Sequence, residues 1–196
     1  VGTPSALGII PCGSGNGLAR HLQIPMNSVN AIKIINQNVV HCLDYGLINN
    51  HPFFCTCGVG FDAVISKRFA ESGRRGPITY IENVLKESLS YKPEIYTIED
   101  LSPTSSDNQP HIYQAFLIAC ANASQYGNNA YIAPQASMKD GLMDIIIIEP
   151  FSALEAPQIA VQLFNKSLLK HSPIKMFQSS HIRISRTSEG AAHCAG

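Results

Sequence analysis

The chain has no tract of basic residues interleaved with aromatics, no apolar run near the roughly 20 residues that cross a bilayer, and no C-x-x-C pair. The first absence, with 14 basic residues balancing 14 acidic ones, removes the electrostatic footprint of a nucleic-acid binder. It also argues against strong non-specific attraction to anionic membranes. The second absence excludes a transmembrane helix, and no signal-peptide pattern opens the chain. The third leaves six cysteines, at positions 12, 42, 55, 57, 120 and 194, without metal or redox spacing. Most lie in apolar, strand-like runs, which reads as buried free thiols in a reducing compartment. Charge is sparse, at 14% against 45% hydrophobic residues, so the 196 residues can bury a sizeable core.

What is present falls into an α/β-like beginning and a β-rich remainder. Ala6 to Pro11 reads as a short buried strand, Gly15 to Leu22 as a helix stopped before Pro25, and Asn27 or Ser28 to about Asn36 as a second helix. From Val39 the pattern changes. Val39 to Ile48 and Pro52 to Gly58 read as strands joined by an Asn49-Asn50 hairpin turn. Gly60 to Arg68 reads as a short helix, Ser72 to Pro77 as a loop, and Ile78 to Leu89 as a helix. Glu94 to Asp100, Ile112 to Ala121, Met143 to Glu149 and Lys175 to Arg186 read as strands. Ser152 to about Lys170 fits a helix with Pro157 in its first turns. Leu101 to Pro110 and Asn122 to Asn129 are polar loops. A domain boundary is expected near residues 38 to 44, dividing 1–40 from 41–196.

Three clusters carry chemistry. In Pro11-Cys12-Gly13-Ser14-Gly15-Asn16-Gly17 an apolar segment enters a glycine-rich turn and a helix follows at once. Such a turn suits an anionic group, most often a phosphate, although a plain strand–helix connection has the same look. It is neither a Walker A loop nor a dinucleotide fingerprint. Ser14 adds a hydroxyl, and Asn16 can fix the turn or hold a neighbouring loop. The second cluster is Gly58-Val59-Gly60-Phe61-Asp62-Ala63, where Asp62 is either a helix N-cap or a carboxylate in a cleft. The third runs from Ala133 to Asp144. Its Asp140-Gly141 pair fits a hairpin turn or a hard-cation site built from a carboxylate and carbonyls. Asp144 opens a buried strand and therefore caps a loop or pairs with a cation. Arg20 and His21 read as a solvated helix face, and Arg74-Arg75 as an exposed loop.

Together these motifs resemble the lipid kinase family that contains bacterial diacylglycerol kinases and sphingosine kinases. The P-x-G-[ST]-x-N-x-x-A-R pattern is Pro11 to Arg20, G-x-G-F-D-A is Gly58 to Ala63, and A-P-x-A-x-x-x-D-G-x-x-D is Ala133 to Asp144. Order and spacing agree over essentially the whole chain.

The resemblance implies an α/β plus all-β fold. A truncated, NAD-kinase-like N-terminal α/β nucleotide-binding domain would precede a C-terminal β-sandwich carrying much of the lipid site. It implies ATP held at Gly13, Ser14, Gly15 and Asn16, and Mg2+ held at Ser137, Asp140 and Leu142, with Ser137 and Leu142 acting through backbone carbonyls. It further implies a membrane lipid as substrate, met by a cytoplasmic, peripheral enzyme, with a homodimer left open and no nucleic-acid partner. Two departures accompany it. The family's G-G-D-G-T loop would lie upstream of Gly2-Thr3-Pro4. Its terminal Asp-Gly-Glu aligns with Ala195-Gly196, placing the expected basic glutamate beyond Gly196. A soluble-nucleotide kinase and a non-catalytic relative are the alternative readings.

Overall fold

Strand pairing organises this chain. In the computed structural model, residues 2–72, 88, 90–105, 107, 109–168 and 173–195 are described. Two helices come first, α1 (Gly17–His21) and α2 (Ser28–Asn36). A hairpin of β1 (Gly46–Ile48) and β2 (His51–Phe53) follows, then β3 (Thr56–Gly60) and α3 (Phe61–Ser72). Next come β4 (Glu94–Asp100), β5 (His111–Ala115), β6 (Leu117–Ala121) and β7 (Met143–Ile148). Helix α4 (Ala156–Phe164), β8 (Ile174–Ser179), β9 (Ile182–Ser185) and β10 (Ala192–Ala195) complete the order.

The strands form an antiparallel five-stranded sheet, β10-β3-β6-β7-β8, and a three-stranded sheet, β5-β4-β9. Cys57, Ile118, Cys120, Ile145 and Ile147 of the larger sheet share one core with Tyr96 and Ile98 of the smaller. The other face of the larger sheet meets Phe61 and Ile65 of α3, Ile159 of α4, and Ile132 and Leu168. Its central strands are therefore covered on both faces, which is why β6, and β7 from Ile145 to Ile148, are continuous apolar runs rather than alternating ones. Among the described residues no helix is long and apolar enough to cross a membrane.

Several expectations hold. Helix α2 starts after an Asn27 cap whose side chain accepts from Asn30 N–H, Asn49-Asn50 turns the first hairpin, and Pro157 lies in the first turn of α4. Others need correction. Val39 to Ile48 is a strand only over Gly46–Ile48, and Pro52 to Gly58 divides between β2 and β3, in different sheets. Ala6 to Pro11 is not a strand, because none of the described strands pairs with it, and Leu7 and Ile10 are exposed. The strand expected over Ile112 to Ala121 is two strands in different sheets. The chain changes sheets at Phe116, whose ring packs on Phe61, Tyr91 and Phe151 and whose N–H donates to the Ile148 carbonyl at 2.7 Å. Lys175 to Arg186 likewise divides into β8 and β9. The helix from Ser152 shrinks to α4, and the unforeseen β10 closes one edge of the larger sheet. The helix expected over 78–89 and the loop at 73–77, with Arg74-Arg75, lie outside the described residues, apart from position 88, which is helical.

All six cysteines are free; Cys55, Cys57 and Cys120 are buried, whereas Cys12, Cys42 and Cys194 are exposed. The expectation of buried thiols therefore holds for only half of them.

Candidate functional site

The glycine turn is tied by its own asparagine. Asn16 sits in the left-handed region, at φ 50°. From there its Oδ1 accepts from Gly13 N–H at 2.9 Å, and its Nδ2 donates to the Gly13 carbonyl at 2.7 Å. The Gly13 N–H is thus spent inside the turn. Ser14 stands exposed at the tip.

Behind the turn lies the segment 122–130, which is polar in sequence yet largely buried. Asn122, Ser124 and Gln125 are among the few buried polar residues. Asn122 Nδ2 donates to the carbonyls of Asp44 at 3.0 Å and Phe54 at 2.9 Å, anchoring the strap to the sandwich. At its far end Asn128 N–H donates to the Gly15 carbonyl at 3.0 Å. Gly127 there has φ +126°, and a Cβ on it would lie 2.8 Å from Gly15 Cα, so only glycine permits this approach.

Arg20 and His21 are not a solvated face. Arg20 Nε donates to the Gly15 carbonyl at 3.1 Å, and its Nη1 to Asn129 Oδ1 at 3.3 Å. His21 Nδ1 accepts from Ser124 N–H at 3.1 Å, which places the ring proton on Nε2, and burial lowers its pKa. Helix α1 faces the strap, and that long-range contact turned two apparently solvated residues inward.

The strap also reaches Asp62, at the start of α3, through Tyr126, whose hydroxyl donates to Asp62 Oδ2 at 3.1 Å. Burial pushes the Asp62 carboxyl up to about 7, against the stabilising Tyr126 bond. His193 Nδ1 of β10 lies 3.7 Å from the same oxygen, and burial lowers its pKa. Among the described residues Asp62 Oδ1, His193 Nδ1 and Thr56 Oγ1 are buried polar atoms without a hydrogen-bond partner. They gather around Gly58. Thr56 and Gly58 share one face of β3, and His193 is opposite Gly58. A Cβ on Gly58 would lie 2.8 Å from Asp62 Oδ2, so the glycine makes room for the carboxylate. Asp62 was legible as a candidate and His193 stood out only as a neighbour of Cys194, too little for a metal site; Tyr126 and Thr56 carried no sequence signal.

The third motif is a tight turn. Asp140 Oδ1 accepts from Leu142 N–H at 3.1 Å, and Ser137 Oγ accepts from Lys139 N–H at 3.2 Å. Asp44, missed in the sequence, accepts from Gly141 N–H at 2.8 Å, while its own N–H donates to the Met138 carbonyl at 2.8 Å. Two carboxylates therefore border one turn. Among the described residues no three His, Cys, Asp or Glu side chains converge as a metal site. Asp140 and Asp44 are both oxygen donors of the kind a hard cation takes, and both accept here from N–H groups of the turn. Asp144 is held from β8, where Gln178 Nε2 donates to its Oδ1 at 3.2 Å; burial raises its pKa and the nearby Asp140 charge adds to the rise.

The motifs are joined. Met138 packs with Cys55 and Ala123 against Leu18 and Leu22 of the α1 segment, and Tyr126 links the strap to Asp62. Two hollows lie elsewhere among the described residues, one beside Tyr96 and Arg186, the other beside Asp107 and His111.

Comparison with known proteins adds family information. Residues 55–196 match the YegS C-terminal NAD kinase beta sandwich-like domain, and residues 1–48 match the diacylglycerol kinase catalytic domain. An uncharacterized protein of Synechocystis sp. is 31% identical over 174 residues, covering 87% of this chain and 39% of the relative. A diacylglycerol kinase of Mycobacterium tuberculosis is 26% identical over 171 residues, covering 83% and 53%. A crystal structure of a diacylglycerol kinase from Bacillus anthracis superposes with a TM-score of 0.71 at 20% identity, over 99% of this chain and 61% of that one, a likeness of fold. The chain spans about half the length of the curated relatives it matches.

Proposed function

The chain belongs to the YegS and diacylglycerol kinase family of lipid kinases, and from that premise we propose that its protein transfers the γ-phosphoryl group of ATP to the hydroxyl of a lipid. The observation that carries this reading is the joining of three distant motifs. The strap 122–130 touches the glycine turn at Gly15 and Asp62 through Tyr126, and Met138 seats the Asp140 turn under α1. Phosphoryl transfer needs little covalent help from a protein; positioning and charge neutralisation supply most of it.

On this reading the turn 13–16 receives the nucleotide, with Ser14 as its exposed hydroxyl. Arg20 and Asn128 hold that turn in place through the Gly15 carbonyl. Asp140, with the carbonyls of Ser137 and Leu142, would hold Mg2+, which when bound braces the cleft and offsets phosphate charge. The proton of the acceptor hydroxyl would pass to the glutamate expected beyond Gly196, while Asp62, buried and bonded to Tyr126, would hold the strap against α3. The acceptor would be a membrane lipid met at the bilayer surface from the cytoplasmic side, such as diacylglycerol or a sphingoid base.

The test uses the full-length protein with labelled ATP and a panel of diacylglycerol, a sphingoid base and NAD. Phosphorylated lipid is the expected product, and Asp140→Ala should lower turnover and abolish stabilisation by magnesium. Label found on NAD alone would replace this reading with a soluble-nucleotide kinase. Unchanged magnesium dependence in the variant would remove Asp140 from the metal site.

A further inference from the structure

Three cysteines that share no sequence motif line up across the larger sheet. Cys194 of β10 is directly opposite Cys57 of β3, and Cys57 is directly opposite Cys120 of β6. Opposed residues of an antiparallel ladder project from the same face, with Cβ atoms about 4.5–5.5 Å apart. The thiols therefore form a row running inward from the sheet edge. Cys57 and Cys120 are in the core between the sheets, whereas Cys194 is exposed.

The row is chemically graded. The hydrogen bond between Cys57 and Cys120, together with burial, pushes the Cys57 thiol up and suppresses its thiolate. Neither buried sulfur is open to a reagent, but Cys194 is. A disulfide needs Cβ atoms about 3.5–4.5 Å apart, so one strand must approach its neighbour slightly. Among the described residues β10 is paired on one side only, at the edge, and can make that approach. Strand β6 is clamped between β3 and β7 and cannot do so as readily.

We propose that Cys194 and Cys57 form a thiol–disulfide exchange pair that accepts oxidising equivalents from low-molecular-weight disulfides. The Cys194 thiolate attacks one sulfur of the small disulfide, forms a mixed disulfide and releases one thiolate. Cys57 then attacks the Cys194 sulfur, and its proton passes to the second small sulfur as that group leaves as a thiol. The sum is two protein thiols and one disulfide giving one Cys57–Cys194 bond and two small thiols. Cys57 is reached only through Cys194, whose mixed disulfide brings the leaving group to it. The bond ties β10 to β3 one residue from the His193–Gly58 pair beside Asp62, so oxidation would stiffen that corner of the site.

The test treats the reduced chain with oxidised glutathione and maps its peptides by mass spectrometry. A cross-linked peptide joining Cys57 to Cys194 is expected, with the other exposed thiols, Cys12 and Cys42, carrying glutathione alone. Cys194→Ser, a change at an exposed position, should abolish the cross-link and leave Cys57 reduced. Cys57→Ser should trap Cys194 as its glutathione adduct. A wild-type chain in which Cys194 holds glutathione without a cross-link would overturn the proposal. So would oxidation of Cys57 at an undiminished rate in Cys194→Ser.

Discussion

Replacing Asp62 by asparagine should stabilise the chain in a pH-dependent way. The carboxyl has an ordinary pKa of 3.8 and is pushed to about 7 in the folded protein, chiefly by burial. Between those two values the unfolded chain has released the proton and the folded chain has not. Stability conferred by Asp62 is thus present in acid and is lost as pH rises toward neutrality. From about pH 5 to about pH 7 the loss is at most about 3 kcal/mol, because the site can relax. Asparagine keeps an acceptor for the Tyr126 hydroxyl and carries no charge, so it escapes this loss. His193 acts in the opposite sense: its burial favours the neutral ring, and stability falls as pH drops below the ordinary 6.5. Because His193 lies 3.7 Å from Asp62, the comparison is made with His193→Gln in both chains, which removes its titration from the difference. Urea denaturation of both chains at about pH 5 and about pH 8 measures the effect. The variant should gain on the parent by about 1.5–3 kcal/mol between the two conditions. A difference that does not move with pH would refute the burial argument for Asp62.

Two other changes probe the strap. Gly127→Ala forces a side chain into φ +126° and against the backbone of Gly15 at 2.8–2.9 Å, so thermal unfolding should show a loss of about 1–3 kcal/mol or more. Gly15→Ala meets only ordinary contacts at 3.6–3.7 Å and should cost less; equal losses would count against the packing described. Asn122→Leu, close in volume, leaves the Asp44 and Phe54 carbonyls without their donor and should cost about 2–3 kcal/mol in denaturant unfolding. A loss below about 0.5 kcal/mol would mean that those carbonyls find other partners.

Local signals carried most of the elements and little of their arrangement. The run Glu94 to Asp100 and the four isoleucines from Ile145 to Ile148 announce strands by β-branched content alone. Asn27 announces the start of α2 because its side chain can satisfy an unpaired N–H. Strand β10 is silent for the opposite reason: Ala192 to Ala195 has little strand propensity and is extended because β3 offers it an edge. The breaks at Phe116 and near His181 are equally silent, since a strand that changes sheets keeps its strand-like composition. At the candidate site, Asp62 and Asp140 were legible beside glycines in tight turns. Asp44, His193 and Tyr126 were not, because each reaches its partner across a long stretch of chain.

The sequence by itself determined the kind of backbone at most positions, the three glycine- and aspartate-bearing turns, and the family they imply. These depend on steric preferences and hydrogen bonds within a few residues, which the chain carries wherever it goes. Only the tertiary structure decided which sheet each strand joins, that the polar strap 122–130 is buried, and that Asp62 loses its water. Those outcomes depend on which distant surface covers each group. Burial and the desolvation that moves a pKa belong to that pairing of surfaces, and no single segment holds both sides of it.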